Sequence, residues 1–186
     1  MRRVAVACAV LLALGGCSTG TGSAAPGTNT NRYVAGDGRT IEYPVAKRVA
    51  APAVSGDTLG GGRFDLAAQR GRVVVVNFWA EWCAPCVLES SALESVHKST
   101  QDSGVVFVGV NSRDEHDKAL AFQTDRLTYP SLFDPAGRIA LRFPDVASAL
   151  PTTVVIDRQG RIAAAVHDAV TEAGLAGLVK QIAAEP

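Results

Sequence analysis

Trp82-Cys83-Ala84-Pro85-Cys86 is the stretch of this chain whose residue types and spacing can do covalent chemistry. Two thiols three residues apart lie close to one helical turn from each other. A thiol at a helix N-terminus meets free N–H groups and the positive end of the dipole, which favour thiolate over thiol. Thiolate is the attacking species in disulfide exchange, so Cys83 is the expected nucleophile and Cys86 the thiol that resolves a mixed disulfide. Pro85 is tolerated because the first helical turn has no intrahelical use for its N–H. Two other readings compete. A zinc site needs four ligands, and the chain has no second Cys pair, while His97, His116 and His167 are scattered without ligand-like spacing. A purely structural disulfide would close a tiny loop and restrain the unfolded chain little. Neither matches the context as well as a redox pair, and no metal is expected.

The elements around the pair are those of a packed α/β domain. Val73-Val74-Val75-Val76-Asn77-Phe78-Trp79 is a continuous β-branched and aromatic run, the signature of a central strand buried on both faces. Cys83 to Thr100 reads as the helix that follows, with Leu88, Ala92, Leu93 and Val96 available for one face. Val105–Val110 is a second buried strand, and 114–126 a second helix whose first-turn acids, Asp114 among them, complement its dipole. Strand, helix and strand in this order imply parallel pairing through a right-handed crossover. Thr152–Asp157 and Arg161–Val166 around Gln159-Gly160 read as an antiparallel hairpin. Leu175, Leu178, Val179 and Ile182 give a C-terminal helix an apolar stripe. The expected fold class is α/β, with a central mixed sheet flanked by helices.

The rest of the chain bounds the function. Its 186 residues allow one domain with appendages, and four Cys are too few for a disulfide-stapled framework. With 18 Lys+Arg balanced by 18 Asp+Glu, the global electrostatic case for nucleic-acid binding is absent. Met1-Arg2-Arg3, the uncharged run Val4–Leu14 and Gly15-Gly16-Cys17 form a signal peptide, the run being too short for a lasting membrane span. Leu14-Gly15-Gly16-Cys17 resembles the bacterial lipobox, which implies that Cys17 is acylated and begins the mature chain, Cys8 leaving with the leader. Two or more acyl chains suffice for stable anchoring. The expected organisation is a signal peptide over 1–16, lipidated Cys17 and a flexible tether over 17–50, and a folded domain over 51–186. Part of the tether, Tyr33 to Tyr43, can instead form a short strand or hairpin around Gly36-Asp37-Gly38. Six basic residues against Asp37 and Glu42 make 1–50 basic and the remainder correspondingly acidic, consistent with anchoring beside anionic lipid.

Phe78-Trp79-Ala80-Glu81-Trp82-Cys83-Ala84-Pro85-Cys86 resembles the active-site strand and helix start of the thioredoxin superfamily. Leu150-Pro151-Thr152-Thr153 resembles its cis-proline loop, and Asp157-Arg158-Gln159-Gly160-Arg161 the hairpin turn that follows. Asn77, Glu89 and the stretch Tyr129–Asp134 before the next helix are similar to the TlpA/ResA-like branch of membrane-anchored, extracytoplasmic thiol-disulfide oxidoreductases. The resemblance implies a thioredoxin-like fold and a redox-active Cys83–Cys86 disulfide. It implies a proton-handling role for Glu89, whose pKa burial would raise, and a cis Pro151 facing the Cys pair. Trp82, Ala84, Pro85 and Leu150 would meet the substrate, with Leu150 offering backbone groups to an extended segment. Asn77 would organise hydrogen bonds beneath the disulfide or simply be satisfied in the core. Where the family places Pro two residues after this Glu, the chain has Glu89-Ser90-Ser91, whose hydroxyls can bend a helix by bonding back to carbonyls.

No organic cofactor is required, because the dithiol is the redox group. The implied partners are exported proteins with Cys pairs, apocytochrome c among the candidates, and a membrane thiol-redox protein, with the enzyme lipid-anchored on the extracytoplasmic face. The direction of electron flow stays open. The alternative is a non-enzymatic copper carrier or redox-responsive binding module on the same fold; related copper chaperones use a longer Cys spacing with a distal His. A thiol peroxidase is a further rival, although its peroxidatic Cys normally lacks a partner at this spacing.

Overall fold

A computed structural model describes residues 40–143 and 149–186. The signal peptide, Cys17 and most of the tether therefore lie outside the described residues. In chain order the elements are β1 (Thr40–Glu42), β2 (Ser55–Asp57), β3 (Arg63–Asp65), β4 (Val73–Trp79), α1 (Ala84–Thr100), β5 (Val105–Ser112), α2 (His116–Arg126), β6 (Ser131–Asp134), β7 (Thr152–Ile156), β8 (Ile162–Val166) and α3 (Glu172–Ala183). Six strands form one mixed sheet in the order β1-β8-β7-β4-β5-β6, and β2 and β3 pair as a separate hairpin.

β4 is the centre, parallel to β5 and antiparallel to β7, and all seven of its residues are buried. Period-two alternation sends Val73, Val75 and Trp79 into one apolar cluster with Leu93, Val96, Leu175 and Val179, while Val74, Val76 and Phe78 join Phe64, Phe143, Val154 and Ile156 in the other. The β4–α1–β5 and β5–α2–β6 crossovers step the same way across the sheet, so right-handed connections put both helices on one face. Phe122 of α2 stacks on Trp79 there, with ring centroids 5.0 Å apart, and α3 adds its Leu175, Leu178, Val179 and Ile182 stripe to the same cluster. The opposite face is covered by the β2–β3 hairpin, Tyr43, Val54 and Phe143. After Asp134, where the resemblance implies a helix, the described residues form a single 3₁₀ turn at Ala140–Arg142.

The folded unit begins earlier than residue 51. Thr40–Glu42 pairs with β8 rather than within a local hairpin, adding an edge strand to the sheet. Tyr43 is buried, and the Arg48 guanidinium, 4% exposed, bonds Asp157 at 3.2 Å, both carboxylate oxygens of Glu185, and the Tyr43 carbonyl at 2.9 Å. The short-strand alternative for Tyr33–Tyr43 is thus met at Thr40–Glu42, without the local hairpin, whereas the Asp157 and Glu185 partners of Arg48 lie 109 and 137 residues along the chain and leave no local signal against a tether.

Gly109 of β5 sits between Asn77 of β4 and Ser131 of β6. The indole of Trp79 crosses above it, Nε1 donating to Ser131 Oγ at 3.1 Å. A Cβ on Gly109 would lie 2.2 Å from that Oγ and 2.6 Å from Nε1. Gly109→Ala is therefore expected to lower the unfolding free energy by about 2 kcal/mol or more through overpacking of a tightly filled site. Urea denaturation measures the loss, and a change under about 0.5 kcal/mol would show that the Trp79–Ser131 contact does not constrain this position.

Candidate active site

β4 ends at Trp79, a short turn follows, and α1 starts at Ala84 with Cys83 as its N-cap. Cys83 has extended backbone angles, and its Sγ accepts the Cys86 N–H at 3.3 Å, the bond that a Ser or Asp side chain makes at an ordinary N-cap. Pro85 occupies the second helical position and wastes no donor. Cys83 and Cys86 form a disulfide with Cα atoms 5.3 Å apart, and the two residues are 5% and 3% exposed. Ala84 and Pro85 are exposed beside them, as is Trp82, whose Nε1 donates to the Arg113 carbonyl at 2.9 Å. A sulfur held at this position receives a backbone N–H and the positive helix end, so it can carry negative charge as thiolate.

The Leu150–Pro151 peptide is cis. β7 starts at Thr152 opposite Phe78, which brings Pro151 level with Trp79, at the end of the sheet from which the Cys turn departs. Pro151 is buried and Leu150 half-buried, packed against both apolar clusters.

Glu89, one turn beyond Cys86, is 2% exposed and points into the sheet rather than to solvent. Its Oε1 accepts from Asn77 Nδ2 at 2.8 Å and its Oε2 from the Val170 N–H at 2.8 Å. Asn77 Nδ2 also donates to Thr153 Oγ1 at 3.1 Å. Asn77 shares the β4 face that α1 covers, so its amide is both satisfied in the core and used to hold the carboxylate. Burial pushes Glu89 up to about 7 against the two hydrogen bonds, which favour the charged form, while the Asp168 carboxylate adds to the rise. A carboxyl so placed changes protonation near neutral pH and can exchange a proton with a thiol. Ser90 Oγ bonds back to the Val87 carbonyl at 2.8 Å, and α1 runs unbroken from Ala84 to Thr100.

Cys83, Cys86, Glu89, Ala84, Pro85, Trp82, Leu150 and Pro151 thus lie at one end of the sheet, and Cys17 lies outside the described residues. Sequence reasoning missed Val170, Thr153 and Asp168 around Glu89. Thr153 follows the cis-proline motif and could have been found by its register opposite Asn77, whereas a backbone N–H such as that of Val170 leaves no trace in residue type.

The AhpC/TSA family model matches residues 48–165. The thioredoxin-like protein YneN of Bacillus subtilis is 35% identical over 124 residues, covering 65% of this chain and 71% of that protein. The thiol:disulfide interchange protein HelX of Rhodobacter capsulatus is 33% identical over 126 residues, 66% of this chain and 68% of HelX. A secreted thiol-disulfide isomerase from Corynebacterium glutamicum superposes with a TM-score of 0.76 at 36% identity, over 84% of this chain and 99% of that one.

Glu89 makes stability depend on pH with a definite sign. Below the ordinary carboxylate value of 4.5 both folded and unfolded chains hold the proton; above it the unfolded chain ionises first, and the penalty grows until the folded group ionises near 7. Relative to Glu89→Gln, the oxidised wild type should therefore lose on the order of 3 kcal/mol between pH 4.5 and pH 7 and no more beyond. Denaturation of both proteins across that range measures it, and parallel stability curves would place the Glu89 pKa in the ordinary range.

Proposed function

The chain belongs to the AhpC/TSA family and is a thiol-disulfide oxidoreductase of the HelX type, and from this we propose that it works outside the cytoplasm, anchored to the membrane through lipidated Cys17, on cysteine pairs of exported proteins. The observation that carries the reading is the Cys83–Cys86 disulfide at the N-terminus of α1, with Cys83 Sγ accepting a backbone N–H.

In the reducing direction the Cys83 thiolate attacks a substrate disulfide. A mixed disulfide forms and one substrate thiolate leaves. Cys86 then attacks the Cys83 sulfur, the second substrate thiolate departs, and two electrons have passed to the substrate as Cys83–Cys86 closes. Glu89 takes the Cys86 proton as that thiol becomes a nucleophile; a carboxyl balanced near pH 7 does this without either protonation state being costly to reach. The oxidising direction runs through the same steps reversed. An extended substrate segment lies along Leu150 and Pro151, with exposed Trp82, Ala84 and Pro85 as its apolar rim. Exported proteins with Cys pairs, apocytochrome c among them, are the substrate class, and a membrane thiol-redox protein resets the pair after each turnover. Residues 1–16 direct export and are removed, and the acyl chains on Cys17 attach the protein to the membrane.

Full-length Cys86→Ser expressed in the native host leaves the mixed disulfide at Cys83 unresolved, and mass spectrometry identifies what is held. Apocytochromes in the trap mark a reductant and a broad set of secreted proteins an oxidant, whereas an empty trap overturns the assignment. In parallel, Cys17→Ala should move the protein from the membrane to the soluble fraction with disulfide exchange unchanged, and its retention on membranes would refute lipid anchoring.

A further inference from the structure

The turn from β4 to α1 is closed on itself by one backbone bond, Cys83 N–H to the Ala80 carbonyl at 3.2 Å. Two further hydrogen bonds reach it from the loop between β5 and α2. Glu81 N–H donates to Asp114 Oδ2 at 2.6 Å, and Trp82 Nε1 donates to the Arg113 carbonyl at 2.9 Å. Two neighbouring residues of one loop thus hold two neighbouring residues of the other. Arg113 takes a φ of 56°, the one positive value at a non-glycine residue among those described. Such a conformation persists where the surroundings enforce it, which is common beside functional sites.

Asp114 is itself anchored. Oδ2 also accepts from Asn111 Nδ2 at 2.8 Å, and Oδ1 accepts from the Glu115 N–H at 2.8 Å. Asn111 is fully buried in β5 opposite Trp79. The sheet therefore grips the active-site turn through one carboxylate. The sequence pattern places Asp114 in the first turn of a helix, yet α2 starts at His116 with Glu115 as N-cap, and the Asp114 side chain serves the Cys turn instead. Glu81, Glu115 and Lys118 share its electrostatic surroundings.

We propose that Asp114 is a positioning residue for thiol-disulfide exchange: by holding Glu81 it keeps the Cys83 sulfur at the N-terminus of α1, where the Cys86 N–H stabilises the thiolate. Loss of the grip lets the turn drift and weakens that stabilisation. The inference concerns the oxidoreductase chemistry alone and is independent of anchoring and of substrate identity.

Asp114→Asn and Asp114→Ala separate this role from charge and from fold. Both remove the negative charge, which alone lowers the Cys83 thiol pKa, and both lose the bond from Glu115. Asn keeps an oxygen for Glu81 and Asn111; Ala keeps none. Titration of the thiolate absorbance in the reduced proteins should put the Cys83 pKa of Asp114→Ala above that of Asp114→Asn by about 0.5 unit or more, a difference of about threefold in thiolate population. Reduction of a small aromatic disulfide at pH 7 should be correspondingly slower in Asp114→Ala, with Asp114→Asn close to the wild type. Equal pKa values and rates in the two variants, whatever their melting temperatures, would make Asp114 merely structural. Should Asp114→Ala fail to fold, hydrogen exchange in the wild type decides: Glu81 N–H must be protected like the amides of β5, and free exchange at Glu81 overturns the proposal.

Discussion

The sulfur of Cys83 does two jobs, and the rest of the structure is arranged around that overlap. It caps α1 by accepting the Cys86 N–H, and it is the atom placed to attack a disulfide. A side chain at an N-cap has little freedom, because the helix starts only where the cap sits. The helix start is fixed in turn by the end of β4, whose seven buried residues leave it no room to slide: a one-residue slip would exchange the Val73, Val75 and Trp79 face for the Val74, Val76 and Phe78 face. The geometry of the reactive atom therefore derives from the alternation of a strand ending four residues earlier.

The same face of β4 explains why a carboxylate can be buried there. Asn77 is the polar member of a row otherwise made of Val73, Val75 and Trp79, and α1 lies on that row. Placing Glu89 above Asn77 gives one oxygen a donor, and the chain between β8 and α3 supplies the other from Val170. Two hydrogen bonds are enough to keep the group in the core but not enough to offset desolvation fully, and the Asp168 carboxylate adds to the rise. A third donor or an arginine would lock Glu89 as a carboxylate; an apolar surround would lock it as an acid. The intermediate supply of donors is what leaves it able to change state near neutrality.

What was legible in the sequence follows from how local each signal is. β4, the Cys pair, the β7–β8 hairpin and the stripe of α3 are written in consecutive residues or a fixed period, and the elements lie within a residue or two of where that pattern puts them. The cis-proline motif and Glu89 became meaningful through resemblance rather than periodicity. β1 was legible only as an alternative, a short strand or hairpin within Tyr33–Tyr43, because three residues cannot show alternation and its partner β8 lies far along the chain. Asp114 was visible as an acid near a helix start, but its side chain answers to an N–H of Glu81, 33 positions away, and such a bond has no compositional mark. Ser90 is the intermediate case: its bond to the Val87 carbonyl is local and foreseeable, while the unbroken course of α1 is set by packing against the sheet.

Charge and chemistry occupy opposite ends of this sheet. At the β7–β8 turn, Arg48, Asp157, Arg161 and Glu185 join the segment after β1, the hairpin and the C-terminus, and Arg158 adds bonds to the Ala183 and Glu185 carbonyls. Burial alone would push Asp157 up, but the bonds from Arg161 and Arg48 outweigh it and hold the carboxyl below its usual range, so this cluster stays ionised where Glu89 titrates. At the Cys end the corresponding anchors are single hydrogen bonds from backbone and amide groups to Glu89 and Asp114. A fully paired ionic network beside the disulfide would fix the field there and resist the change of charge that exchange requires. Set at the far end, the network ties three chain segments together without bearing on the thiols, and the protonation changes are left to groups that can undergo them.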